Sequence, residues 1–239
     1  MNEQQFLAQY DPGEFERPSV AVDVVLLTVR DGALWTLVYR RTDHPALGRW
    51  ALPGGFVRMD EPLGTAAARL LAAKANVRDV FLEQLYTFGN PERDPRMRII
   101  SVAHYALVPP RVFDGATGTQ ARVEVPWEGE EGGVAWPVDE DGARLDLAFD
   151  HPRMLGLAVQ RIRGKLRYAP IAFELLPPTF TLLQARRVHE AILGRPLNKD
   201  SFRKTLLASG DIAPTGERSS GVGRPAALYT RANQGGRHG

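Results

Sequence analysis

Apolar and polar positions follow two different periods along this chain. From Val20 to Thr28 and from Leu34 to Arg41 the sequence is dense in β-branched and apolar residues, with Asp31-Gly32 between the two runs. Runs of that composition read as strands, and Asp-Gly between them reads as a hairpin turn. Val80 to Phe88 and Arg98 to Val108 predict two further strands, and Gly89 to Arg96 between them is rich in turn formers. A glycine turn at Gly54-Gly55 leads into an Ala/Leu-rich segment ending near Asn76-Val77, which predicts an amphipathic helix. Pro109 to Gly133 is Gly-, Glu- and Pro-rich without period, so a long surface excursion is expected, followed by a short strand over Val134 to Val138. Asp150-His151-Pro152 has the form of a helix start, with Asp150 at the N-cap and Pro152 in the first turn. That helix is expected to reach about Leu166 and to end in the basic run Arg161, Arg163, Lys165, Arg167. The polar residues 1–17 are expected to form a loose lead-in strand or arm.

Leu175-Leu176-Pro177-Pro178 closes this half, because consecutive prolines stop a helix and stiffen a connection. Beyond it the period becomes helical. Thr181 with Gln184 three residues on is a capping-box pair; Leu182, Ala185, Val188 and Ile192 follow at helical spacing, and Gly194 ends the helix. Asn198 is a good cap for a second helix over Lys199 to Ser209, with Phe202 and Leu206 one turn apart on its buried side and Gly210 at its end. Two short helices so joined make a helix-turn-helix. Ile212 to Thr215 and Ala226 to Thr230, around a loop from Gly216 to Pro225, predict a β-hairpin wing. The expected organisation is an α/β domain over 1–148, a joining helix and Pro-rich joint over 149–177, a winged helix-turn-helix over 178–231 and a flexible tail at 232–239.

The chain's 239 residues, 44% hydrophobic and 24% charged, suit one large or two modest soluble domains. The absence of cysteine removes disulfides and thiolate metal sites, and the histidines at 44, 104, 151, 189 and 238 lack zinc-ligand spacing. No apolar run approaches a membrane span and the start Met1 to Gln5 is unlike a signal peptide, so a cytoplasmic protein with no membrane partner is expected. The formal charge of +2 hides an asymmetry: Pro177 to Gly239 carry 10 Lys+Arg against 4 Asp+Glu, whereas residues 1–176 carry 20 against 24. A basic end on an acidic body points to a polyanion for that end.

Duplex DNA fits the pattern. The N-terminal part of a recognition helix enters the major groove, and here it offers Lys199, Ser201, Arg203 and Lys204. Arginine and lysine at such positions read guanine O6 and N7 or clamp phosphates. Arg224-Pro225 follows Gly223 in the wing loop, where an arginine can enter a narrow minor groove. Arg218, Arg186 and Arg187 are expected to position phosphates. A dimerisation or docking module solvated by the same basic residues is the alternative.

The stretch from Gly54 to Val77 resembles a Nudix box, whose pattern is a Gly, five residues, a Glu, seven residues, then Arg-Glu-apolar-x-Glu-Glu-x-Gly-apolar. With Gly55 in first position, Glu61, Arg69, Leu71 and Val77 fall in register. Leu70, Ala73 and Lys74 stand where that pattern has its helix carboxylates, and Asn76 stands at the closing Gly. Residues three and four apart share a helix face, on which carboxylates hold the divalent cations that bridge a pyrophosphate; a lysine brings positive charge and no acceptor. The resemblance implies a Nudix-like α/β/α sandwich around a mixed sheet, and the substitutions imply no catalytic residue, no metal and no cofactor.

Arg17 to Asp23, Leu52 to Arg58, Gly164 to Pro178 and Gly221 to Pro225 together resemble the Nudix-related transcriptional regulators, over roughly residues 18–231. In that family a Nudix-like effector domain is joined to a C-terminal winged helix-turn-helix. Its members are typically dimeric repressors of NAD-biosynthesis genes released from DNA by ADP-ribose or a related nucleotide, and others answer to sugar catabolites. The resemblance implies a homodimer that binds a palindromic operator and senses ADP-ribose or a sugar phosphate. Arg40, Arg41, Arg58, Arg93, Arg96 and Arg98 are the expected anion contacts. Trp50, Tyr86 and Phe88 are expected to stack or pack, and Glu61 to touch ligand or cap the helix. The alternative is a Nudix-type pyrophosphatase acting on a nucleoside diphosphate-linked substrate, with a basic appendage; an RNA-associated Nudix-like protein is a third reading.

Overall fold

A computed structural model describes residues 1–220 and 225–232. In chain order the first domain comprises α1 (Glu3–Gln9), β1 (Ser19–Arg30), β2 (Ala33–Arg40), β3 (Trp50–Ala51), β4 (Gly54–Phe56), α2 (Leu63–Ala75), β5 (Phe81–Phe88), β6 (Ile99–Leu107), α3 (Pro110–Asp114), β7 (Thr119–Glu124), β8 (Trp136–Val138) and α4 (His151–Lys165). The strands form a mixed sheet in the order β5-β6-β1-β2-β7-β8, with β3 added to β2 and β4 to β1. β1 is its axis, parallel to β6 and antiparallel to β2 and β4.

The unbroken apolar run of β1 has a simple cause, because both faces of the strand are covered. Val22, Val24 and Leu26 pack toward Ala66, Ala67, Leu70 and Leu71 of α2. Val25, Leu27 and Val29 pack on the other side with Met154, Leu155, Ala158 and Val159 of α4. Each buried valine, leucine or methionine side chain among them contributes about 1.5–3 kcal/mol. The β1–β2 turn holds Asp31 at φ 51° and Gly32 at φ 75°, the left-handed pair that a tight hairpin requires. α2 ends at Asn76, also left-handed (φ 54°), whose N–H returns to the Ala72 carbonyl. Asparagine tolerates that conformation, so it can stand where the box pattern has glycine.

Two expectations are corrected. Residues 1–17 form no strand: Asn2 and Gln5 make a reciprocal capping box at the start of helix α1, which has no buried residue. The stretch 109–133 is not wholly a surface excursion, since α3 and β7 lie within it and β7 pairs with β2. The alternation of buried Ala121 and Val123 with polar neighbours was the period-two signal, concealed by the glycines around it.

A 3-10 turn over Ile171–Leu175 leads into β9 (Thr179–Phe180), α5 (Leu182–Leu193), α6 (Lys199–Ala208), β10 (Ile212–Arg218) and β11 (Ala227–Arg231). β9 makes the wing a three-stranded sheet, ordered β10-β11-β9. The Thr181–Gln184 capping box is present, and Gly194 takes φ 69° at the end of α5. Phe180 is fully buried and stacks on Phe173 at 5.5 Å. Ala185, Val188, Ile192 and Leu206 belong to the same apolar cluster as α4 and the sheet, so one core runs through both halves. Among the described residues no helix is long and apolar enough to cross a membrane.

Candidate functional site

Several elements converge on a cavity of about 330 Å³ at one end of the sheet. β1 supplies Asp23, the end of β2 supplies Arg40 and Arg41, and the β3–β4 turn supplies Leu52 and Gly54; α2 adds Lys74. The loop after Gly89 adds Arg93, Asp94 and Arg96, while Phe149 and His151 close the cavity from the start of α4. Arg40, Arg41, Lys74, Arg93 and Arg96 outnumber Asp23, Asp43 and Asp94 in its wall, an excess of positive charge suited to an anion.

Asp23, 8% exposed, sits on the cavity floor. Ser101 Oγ donates to it at 2.6 Å, and His151 Nε2 and Arg93 Nη2 face it at 3.6 and 3.8 Å. The Leu52 N–H donates to His151 Nδ1 at 3.0 Å, which assigns the proton of the neutral ring to Nε2, toward Asp23. Arg93 is committed chiefly to Asp150: Nε and Nη2 donate to its two carboxylate oxygens at 2.9 and 2.8 Å. This is the paired fork that only arginine supplies. Gly54 is required because a Cβ there would lie 2.0 Å from Asp23 Oδ1 and 2.8 Å from the Val22 carbonyl. Phe149 holds a left-handed φ of 54°, at a cost of about 1–2 kcal/mol. Its ring lies 5.0 Å from the Arg41 guanidinium and 5.7 Å from the His151 ring.

Of the residues expected to meet an anion, Arg40, Arg41, Arg93 and Arg96 share this cavity. Arg96 is bound through its fork to Asp94 at 3.0 and 2.8 Å. Tyr86 and Phe88 line an adjoining cavity of about 650 Å³ that also contains Arg93 and Phe149. Trp50, Arg58, Glu61 and Arg98 line neither cavity. Trp50 packs against the core, and Arg98 donates to the Gly89 carbonyl at 2.7 Å. Asp23, Asp94, Asp150 and His151 went unrecognised in the sequence. The available signal was an acid inside an apolar strand; Asp150 does occupy the N-cap position of α4, but its side chain caps nothing and serves Arg93.

The box geometry is built without its carboxylates. Arg69 Nε donates to Glu61 at 2.8 Å, Nη2 joins the same carboxylate, and the Arg58 N–H adds a third bond at 2.9 Å. The Arg69 guanidinium, aided by that N–H, holds the Glu61 carboxyl down to about 2. Leu70 is buried beside Gly55, Ala73 is exposed, and Lys74 lines the cavity. Desolvation pulls the Lys74 ammonium below its usual range and Asp23 opposes the fall. Among the described residues no group of three or more His, Cys, Asp or Glu is arranged to hold a metal ion.

In the second domain Asn198 Oδ1 accepts from the N–H groups of Asp200 and Ser201, fixing the start of α6. Lys199, Ser201, Arg203 and Lys204 are all exposed there. Arg218 is exposed on β10, and Arg224 lies outside the described residues. Arg186 turns inward instead, to Glu190 and the Leu197 carbonyl, both at 3.2 Å, because the connection between α5 and α6 needs those donors. Arg187 lines a groove between α5 and the β1–β2 turn.

The buried histidines make stability depend on pH. Burial lowers the pKa of His104, His151 and His189 from the ordinary 6.5. The unfolded chain therefore takes up protons below about pH 6.5 that the folded chain refuses, and stability falls as pH falls. Each group contributes a slope of up to about 1.4 kcal/mol per pH unit over its own window. Urea melts at pH 7.5 and 5.5 are expected to show the loss, and His151→Gln to make it shallower. Equal midpoints at the two pH values would contradict the burial of these rings.

Comparison with known proteins accords with this architecture. The model of the NUDIX domain matches residues 17–147, and that of the NrtR DNA-binding winged helix domain matches residues 172–230. An ADPR-responsive transcriptional repressor of Acinetobacter baylyi is 35% identical over 235 residues, 98% of this chain and 90% of that protein. Shewanella oneidensis NrtR, crystallised with a 27mer DNA, superposes with a TM-score of 0.73 at 33% identity, covering 89% of this chain and 93% of that one. The Nudix domain of the same Shewanella protein, crystallised with ADP ribose, gives a TM-score of 0.53 at 34% identity over 68% of this chain and 99% of that one.

Proposed function

Because this chain belongs to the NrtR family of Nudix and winged-helix regulators, we propose that it is a homodimeric transcriptional repressor that leaves its operator when ADP-ribose occupies the Nudix-like cavity. The observation that carries the reading is the pairing of an exposed basic α6 start with a cation-lined cavity across one continuous core. The Acinetobacter relative is described as ADPR-responsive, and the Shewanella relative was crystallised with DNA and, as its Nudix domain, with ADP ribose. Two copies of α6, one per protomer, suit a palindromic duplex with half-sites about one turn, ~10 bp, or a multiple of it apart.

Full-length protein titrated against an inverted-repeat duplex, selected from random sequence, tests this. ADP-ribose is expected to lower DNA affinity by roughly 5- to 150-fold, the span of ordinary allosteric coupling. Arg203→Ala with Lys204→Ala is expected to flatten the log–log salt dependence by about two units if both residues neutralise phosphates. A salt slope equal to that of the unaltered chain would remove α6 from the DNA interface.

The residues of the box do not fit the divalent cation of Nudix hydrolases. Lys74 occupies a carboxylate position in the cavity, and Glu61 is held by Arg69. We therefore expect no hydrolysis of ADP-ribose or NADH above background with Mg²⁺ or Mn²⁺. Turnover that vanished in Glu61→Gln would show a working cation site and favour the pyrophosphatase reading.

A further inference from the structure

We infer that α4 is the rod through which the cavity governs the DNA-reading domain, held at its first end by Asp150 and at its last turn by Arg163. The inference rests on the reading above, taking ADP-ribose as ligand and operator affinity as output. It adds the residues that join the two.

The rod has the required length and stiffness. The 15 residues of α4 span about 22 Å at ~1.5 Å each, and nine of them are buried. It fits closely against the loop beneath it: a Cβ at Gly156 would lie 1.9 Å from the Gly133 carbonyl oxygen. A helix packed this way shifts as a body or stays where it is.

At the first end, the Asp150 carbonyl accepts from the Arg153 and Met154 N–H groups at 3.0 and 3.1 Å, but its side chain gives nothing to the helix; both carboxylate oxygens go to Arg93, on a different loop. The tie is thus an ion pair between separate elements, and α4 keeps its own fold without it. A diphosphate in the cavity is drawn to the same guanidinium. Phosphate and carboxylate then compete for one fork and repel each other, which weakens the hold of Arg93 on α4.

The far end is as specific. Arg163 is 4% exposed, and none of its bonds goes to a carboxylate. Its Nε donates to the Ile192 carbonyl at 2.8 Å, and Nη1 donates to the Gly129 and Trp127 carbonyls at 3.0 and 3.3 Å. The guanidinium also lies 4.6 Å from the Trp127 ring. Ile192 is in the last turn of α5, where carbonyls lack helical partners and the helix dipole favours a cation. A buried charge satisfied by carbonyls alone tolerates little displacement, since each lost bond leaves a desolvated donor unpaired. Movement of α4 therefore either carries α5 with it or breaks the pin. Other polar ties near the joint, Arg231 to Glu174 and Thr230 Oγ1 to the Pro178 carbonyl, have no residue in the cavity wall.

The test uses the full-length chain. Fluorescence anisotropy gives the affinity for a labelled operator with and without saturating ADP-ribose, and calorimetry gives the affinity for ADP-ribose alone. In Arg163→Gln, ADP-ribose affinity is expected to stay within about twofold and operator binding to persist. The ratio of operator affinities without and with ligand is expected to fall from roughly 5- to 150-fold to under about twofold. Asp150→Asn should collapse the same ratio from the other end, and decides alone if Arg163→Gln fails to give a cooperative melt. Folded variants that keep the unaltered ratio would overturn the role of α4 while leaving the function intact. An unaltered chain that binds both operator and ADP-ribose with a ratio of one would overturn the function and this inference together.

Discussion

Gly156→Ala is expected to destabilise the chain by about 3 kcal/mol, near the top of the range for overpacked cores. The added methyl would meet backbone on one side only, at 1.9 Å from the Gly133 oxygen, 2.9 Å from the Gly133 carbonyl carbon and 3.1 Å from the Ala135 nitrogen. No side-chain rotation relieves such a contact, so α4 or the 133–135 segment must move. Helix propensity works the other way, by roughly 1 kcal/mol in favour of alanine, and packing is expected to prevail. For a chain of this size the loss corresponds to a melting temperature lower by about 6–12 °C. Gly64→Ala is the control: it lies in α2 with nothing within 4 Å of its Cβ position, and its melt is expected to be unchanged or slightly raised. A Gly156→Ala melt coincident with that control would show that α4 and the 133–135 segment are not in contact as described.

Arg93→Ala is expected to cost about 3–5 kcal/mol and to abolish ADP-ribose binding. Its side chain is 5% exposed, against 21% for Asp150 and 12% for Asp23, so removing it strands two largely buried carboxylates. Breaking a buried pair by deleting one partner costs that much because the remaining charge keeps its desolvation penalty. The double variant Arg93→Ala with Asp150→Asn is expected to recover part of the loss, since one of the stranded charges goes with it. Urea denaturation of the singles and the double gives the coupling, and calorimetry gives the ligand affinity. Additive losses, or a neutral Arg93→Ala, would mean that the guanidinium and the two carboxylates do not act as a unit.

Much of the fold is legible in the sequence because packing imposes periods on it. β1 and β2 read as strands since both faces of β1 are buried, and α5 and α6 read as helices since Thr181, Asn198 and Gly194 carry the chemistry of helix ends. α1 was missed although Asn2 and Gln5 repeat the capping pattern seen at Thr181 and Gln184; with no buried residue it lacks the apolar stripe that draws attention. The cavity was half legible. Arg40, Arg41, Arg93 and Arg96 are recognisable as cations near turns, but their pairing is not, because Asp23, Arg93 and Asp150 are distant in sequence and meet only in the fold. The basic run at the end of α4 shows the same limit. Read along the chain it is a patch of positive charge; in the structure Arg161 and Lys165 serve Glu83, Arg167 serves Glu130, and Arg163 is buried.

The apolar seam from Met154 through Phe173 and Phe180 to Ile192 and Leu206 leaves the joint between the domains without slack. In the proposed dimer, each recognition helix is then fixed relative to its own Nudix-like domain before DNA arrives. Association loses little conformational entropy at the joint, and the second half-site is met as an intramolecular step. The same stiffness acts as a ruler. One inserted base pair displaces a half-site by about 3.4 Å and turns it by about 35°, an error that a tethered reader would absorb and that this molecule must meet by breaking contacts.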